Sequence, residues 1–209
     1  MAVSANLYVT ILDMLVNAGY HLGLFTTLPT NAENSNGTEV TGGSYARLAS
    51  DAGFPTASGN TTVTGRGFTQ LANNGALNFP TASANWGTVV GWGLFSALTG
   101  GTCAMAFPFT DTPVDGITYS QSGTTVTVNS PAHGLTTSDS VYVRFFNTGN
   151  ADKTYAVASV TTNTFTFAVV GSATITNADI RYGKTKSYTV DANSGLSFPV
   201  SALTFGVKG

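Results

Sequence analysis

The sequence predicts a mainly β chain with one α-helix at its N-terminus and, in its second half, a small barrel-like β segment of different texture. Three observations lead there. Helical spacing of apolar residues occurs once, near the start; Thr and Ser then alternate with Val, Tyr, Phe and Ile in short runs; and Gly, Asn and Pro punctuate those runs. The 209 residues are 42% hydrophobic, enough for a core, and only 9% charged against the roughly 25% of an average soluble domain.

Residues 5–18, ANLYVTILDMLVNA, place Leu7, Tyr8, Ile11, Leu12 and Leu15 at helical spacing, with Asn6, Thr10, Asp13 and Asn17 opposite. Ser4 is the expected N-cap and Gly19 the left-handed residue that ends the helix. Leu12 and Val16 widen the apolar stripe, so the helix is expected to bury itself against a sheet or a neighbouring subunit. YHLGLFTT reads as a strand, and the loop LPTNAENSNGTE follows with Pro29, Asn36 and Gly37 supplying turn geometry. DAGFPTASGNTTVTGRG reads as an exposed loop. GFTQLA and ALNFPTA flank NNG, and because Asn-Gly suits the positive φ angles of a tight turn the two runs are expected to pair as a hairpin.

NWGTVVGWGLF, residues 85–95, mixes strand-favouring Trp and Val with Gly. In one continuous strand Trp86, Thr88, Val90, Trp92 and Leu94 share a face, and Gly87, Val89, Gly91, Gly93 and Phe95 the other. Each Trp ring buries on the order of 150–250 Å², while a bare glycine face lets a backbone or a ring come close. Leu7, Ile11, Leu15, Trp86, Gly91, Trp92 and Gly93 are therefore the expected packing and subunit-interface residues. Residues 114–183 alternate small polar and apolar residues between regular turn signals, the pattern of a small barrel-like β domain. KTKSYTV and LSFPVSALTFGVKG return to strands, with Pro199 at an edge or a bulge.

GTEVTGGSYARLA, NFPTASANWGTVVGWGLFSALTGG and LSFPVSALTF, in this order behind a leading helix and an LxLFTT strand, resemble the tail-fibre-like virion proteins of tailed bacteriophages. The likeness covers residues 5–112 and 184–209. It implies a β-sandwich-like virion base domain over 1–112 and 184–209, and a structural protein made in the host cytoplasm that joins other virion proteins and itself as a homo-oligomer, a trimer favoured. The remaining stretch of about seventy residues, 113–183, is similar to small β modules appended to phage tail proteins and reads as an insertion on a surface loop, where insertions cost least. Residues 112 and 184 should then be neighbours in space. A decoration protein of the capsid exterior and a glycan-binding module for host adsorption are the alternatives, the latter with Tyr119, Tyr142 and Tyr155 as surface-recognition residues.

A glycosidase needs two carboxylates about 5–10 Å apart, yet the only Glu are Glu33 and Glu39, six positions apart in one loop where solvated turn residues are the rule. His133 in PAHGL lacks ligand partners and reads as an imidazole bonded to a loop carbonyl; His21 reads as a satisfied core or interface residue. Cys103 is alone, so no intrachain disulfide forms and no catalytic partner is evident. GTEVTGGSYAR lacks the GKS or GKT ending of a phosphate loop and reads as a tight turn with Arg47 paired to a nearby acid. Eight Lys or Arg scattered singly and a net charge of −2 leave no footprint for nucleic acid. The N-terminus lacks a basic n-region and Asp13 interrupts its apolar run, so neither signal peptide nor membrane insertion is expected. No catalytic residue, cofactor or metal is predicted.

Overall fold

The computed structural model describes residues 5–30, 36–49, 54–55, 62–64, 68–146 and 149–208. Along them run one helix, α1 (Ala5–Asn17), and the strands β1 (His21–Thr27), β2 (Thr38–Glu39), β3 (Leu48–Ala49), β4 (Thr62–Thr64), β5 (Phe68–Ala72), β6 (Leu77–Asn78), β7 (Gly87–Val89), β8 (Gly91–Phe95) and β9 (Cys103–Thr110). These are followed by β10 (Val114–Asn129), β11 (Ser140–Phe145), β12 (Lys153–Ala156), β13 (Ser159–Val160), β14 (Thr164–Lys186), β15 (Tyr188–Val190), β16 (Ser197–Phe198) and β17 (Thr204–Lys208). The fold is mainly antiparallel β. Two compact units divide it: residues 1–109 with 187–209, and residues 110–186.

In the first unit α1 lies against β5 and β17. Val9, Leu12 and Val16 recur at helical spacing and pack into the core, while Met14 on the other side is 66% exposed. Gly19, at φ +72°, ends the helix, and the Ala18 N–H donates to the Met14 carbonyl. The expected cap Ser4 and the side chains of Leu7 and Leu15 lie outside the described residues; Ile11 is half-buried.

The main sheet runs β9–β8–β1, with β2 and β3 on the far edge of β1. Leu22 and Leu24 of β1 and Trp92 and Leu94 of β8 face the larger core, where Phe54, Leu71, Phe79, Phe109, Phe198 and Phe205 join them. The intervening residues face a smaller cluster of Phe25, Phe95 and Cys103. Short antiparallel pairs complete the unit: β7 with β15, β6 with β16, and β5 between β4 and β17.

Two expectations are corrected here. NNG does not turn a hairpin: β5 pairs with β17 and β4, and β6 with β16, because Asn73 is buried among the backbone groups of residues 199–203 instead of standing at a turn tip. Residues 86–95 are not one strand either. The chain leaves β7 and enters β8 at Val90, whose N–H donates to the Phe25 carbonyl and whose carbonyl accepts from the Phe109 N–H. The alternation slips there, so Val89 is buried with Trp86 and Trp92 rather than facing the glycine side, and Gly87, at φ +78°, has open space beside it.

The second unit is built on β14, which pairs with β10 along one edge and with β11 and β13 on the other; β12 completes the order beyond β11. Strand alternation puts Val126, Val128, Phe165 and Phe167 inside and Thr125, Thr127 and Ala168 outside. The expected β-rich module is present, and among the described residues its strands do not close into a barrel: β12 ends the order beyond β11, and β10 pairs with β14 alone. The register between β10 and β14 shifts at three places, and these bulges bend the two long strands. At the start of the unit the Asp111 N–H donates to the Lys184 carbonyl at 2.8 Å.

Candidate functional site

Of the residues expected to pack or form interfaces, Gly91 and Gly93 line the glycine face of β8, with GTEVTGGSYAR beside it, whereas Trp86 and Trp92 face the larger core. Gly23 of β1 stands opposite Gly93 of β8, which leaves a shallow lane on the sheet. The rings of Phe25 and Phe95 fill it, stacked with centroids 5.4 Å apart. A β-carbon on Gly93 would stand 2.7 Å from both the Phe25 ring and the Met105 carbonyl, and one on Gly91 would meet the Phe107 carbonyl and Leu28. The bare face is therefore occupied from within the chain, by rings and by the neighbouring strand β9.

Over the Phe95 ring lies the Arg47 guanidinium, 3.7 Å from the centroid. Its Nε and Nη2 donate to the two oxygens of Glu39 at 2.7 and 2.5 Å, a bidentate pair, and Nη1 donates to the carbonyls of Ala97 and Gly100 in the β8–β9 turn. The Tyr45 hydroxyl donates to Glu39 Oε1 at 2.9 Å and accepts from the Leu24 N–H at 2.8 Å. Burial pushes that hydroxyl well above the usual phenol range, and the hydrogen bonds to Glu39 hold the guanidinium above its ordinary value. Tyr45 meets Trp86 edge-on at 5.5 Å, and the Trp86 indole N–H donates to the Gly43 carbonyl at 3.0 Å. The expected pairing of Arg47 with a nearby acid is thus present. Its reach to the β8–β9 turn, across fifty residues, carried no signal in the sequence.

A second buried clasp was also missed. Asn73 donates through Nδ2 to the carbonyls of Gly75 and Pro199 and accepts at Oδ1 from the Leu203 N–H. Its own N–H and carbonyl bond Leu203 and Ser201. Every polar atom of one asparagine is spent on joining distant segments.

The remaining candidates hold structural positions. His133 donates from Nε2 to loop carbonyls of Thr161 and Thr164 and accepts at Nδ1 from the Leu135 N–H, an arrangement that holds the ring in the loop. His21, expected to be satisfied, has a buried Nδ1 without a partner among the described residues. Cys103 is buried and its Sγ donates to the Met105 carbonyl; burial pushes the thiol up to about 11, so it is a poor nucleophile near neutrality. Glu33 lies outside the described residues, and Glu39 is fully engaged by Arg47 and Tyr45. Tyr119 and Tyr155, expected on the surface, are buried in the second unit's core against Phe145, and Tyr142 is half-buried. The correction has a simple cause: alternation assigns a tyrosine to a face without saying which face is dry. Among the described residues no cluster of His, Cys, Asp and Glu could hold a metal ion, and no helix is long and apolar enough to cross a membrane.

No curated protein matches the chain. Among solved structures it is similar to the phage phi92 endosialidase, at 14% identity and a TM-score of 0.29. That match covers 83% of this chain and 31% of the other, so this chain spans less than a third of that protein's length, and the likeness is too slight to carry an argument. The model of the podophage GP4 fiber I protein gp80 family matches residues 6–114, just over half of the chain. That stretch holds α1, the glycine face and the Arg47 clamp, and by this match the chain belongs to the podophage fiber I protein gp80 family.

Proposed function

We propose that this chain is a non-enzymatic structural component of a tailed-phage virion, of tail-fibre or baseplate type, that assembles with copies of itself, most favourably as a trimer, and with other virion proteins. The observation that carries the reading is the family match over residues 6–114, together with what that stretch contains. Its polar groups are spent on shape: Glu39 is held by two donors' side chains, Cys103 stays protonated, and Arg47 fastens a turn. The fiber name of the family favours this over a place on the capsid shell. In this reading the first unit makes the subunit contacts, with exposed Met14, Leu98 and Val200 available on its surface, and residues 113–183 form an inserted domain carried by it.

Sedimentation velocity of the purified chain tests the proposal. Three times the 21.5 kDa chain mass is expected; a well-folded monomer persisting at micromolar concentration contradicts the self-assembly. Release of reducing ends from host polysaccharide by the same preparation contradicts the non-enzymatic part.

A further inference from the structure

Asn73-Asn74-Gly75 forms no hairpin turn, and the exposure of its middle residue opens it to a different chemistry. The middle asparagine, Asn74, is exposed, and its side chain makes no hydrogen bond to the described residues. The Gly75 N–H, next in the chain, makes no backbone hydrogen bond among the described residues either, and glycine offers no side chain to hinder approach. The chain's second described Asn-Gly pair differs. Asn36 Oδ1 accepts from the Thr30 N–H at 2.8 Å and its Nδ2 donates to Thr30 Oγ1 at 2.7 Å, so both ends of that amide are tied. A β-carbon on Gly37 would stand 2.7 Å from the Pro29 ring, so its backbone is hemmed in as well.

We propose that Asn74–Gly75 is a self-modification site at which the chain deamidates with water as the only co-reactant. The Gly75 backbone nitrogen attacks Cγ of Asn74 and forms a C–N bond, and the side-chain nitrogen leaves as ammonia with the proton that Gly75 gives up. Water then opens one of the two C–N bonds of the five-membered imide. One outcome leaves an aspartate with the original backbone, the other an isoaspartyl link that runs the main chain through the former side chain; either adds a negative charge. The isoaspartyl link lengthens the chain by one methylene between Asn73 and Gly75. Asn73 Nδ2 holds the Gly75 carbonyl at 2.8 Å, so that lengthening pulls against the clasp that fastens residues 199–203. The site is thus a timer attached to the one asparagine that joins β5 to the loop before β17.

The test is peptide mapping by mass spectrometry of the full chain held at mildly alkaline pH and physiological temperature. The peptide containing Asn74 should gain about 1 Da, with an isoaspartyl fraction, and should convert about tenfold faster than the peptide containing Asn36, whose two hydrogen bonds must first break. Aged wild type should show a lowered tryptophan-detected unfolding midpoint, and Asn74→Gln aged beside it should not. An urea-unfolded sample, in which both pairs are equally free, sets the attainable rate. A folded chain that stays unconverted at Asn74 while the unfolded one converts, or that converts at Asn36 as fast as at Asn74, overturns the proposal.

Discussion

The two compact units draw on the same residue types and are held together differently. In the first, apart from β1 and β9, strands are five residues or fewer, and the order between them comes from side chains that reach across the sequence: Arg47 to Ala97 and Gly100, Trp86 to Gly43, Asn73 to Pro199 and Leu203. In the second, β10 and β14 run for 16 and 23 residues, and their long backbone ladder, shifted in register at three places, does most of the ordering. Even there one buried amide guards the bulges: Gln121 Nε2 donates to the carbonyls of Gly123 and Gly171, and its Oε1 accepts from Asn150. Short strands shift the burden of specificity from the ladder to individual polar side chains.

The largest expected effect lies at the Arg47 clamp. Arg47→Met leaves Glu39, a half-buried carboxylate, without its cation and frees the β8–β9 turn, and stability should fall by about 3–5 kcal/mol. Both tryptophans, at 86 and 92, sit in the first unit, so urea unfolding followed by tryptophan fluorescence reads this loss. A cost below that of an exposed ion pair would mean the turn holds without the clamp.

Next come the two amides. Asn73→Ala strands the Gly75 and Pro199 carbonyls and the Leu203 N–H, about 3 kcal/mol at roughly 1 kcal/mol per group. Gln121→Ala strands two carbonyls and leaves the half-buried Asn150 amide without its acceptor, about 2–3 kcal/mol, and should leave the fluorescence transition in place. Equal shifts of that transition by both variants would erase the contrast between the units.

Gly93→Ala sharpens it further. The added carbon meets Phe25 and a backbone carbonyl that cannot rotate away, and a cost of about 1–3 kcal/mol is expected in the midpoint of thermal unfolding. The smallest effect near neutral pH belongs to Cys103, whose contribution shows only on the alkaline side. Its thiol sits at about 11 when folded and near 8.5 when unfolded. Below about pH 8.5 both states are protonated and no dependence appears; as pH rises toward 11 the unfolded chain ionises first and stability declines. Cys103→Ser should flatten that alkaline slope, and iodoacetamide should label the native thiol far more slowly than the unfolded one.

The same contrast explains what could be read in advance. The β character of residues 114–183 was legible because polar and apolar residues alternate there over several periods, and Val126, Val128, Phe165 and Phe167 fall on the side that the structure buries. That Arg47 pairs with a nearby acid was legible from its place in GTEVTGGSYAR, while the identity of the acid was not: it is Glu39, eight residues earlier, which its loop-like surroundings marked as solvated. Asn73 was not: its partners lie about 130 residues away, and nothing local distinguishes it from a turn asparagine. The break at Val90 was hidden for a related reason, since a chain that passes from one sheet to another keeps its strand-like composition while its faces exchange. Tyr119 and Tyr155 show the limit even in the regular unit, where period two fixes the face and not the side on which the core lies.

Hydrogen exchange on Asn73→Ala and Gln121→Ala, read peptide by peptide, tests the central contrast most directly. Asn73→Ala should lose protection in β5, β16 and β17 and keep it in β10 and β14, with Gln121→Ala confined to the β10–β14 bulges. Protection falling evenly along the whole chain in both variants would show that side-chain clasps do not order the first unit in the way described.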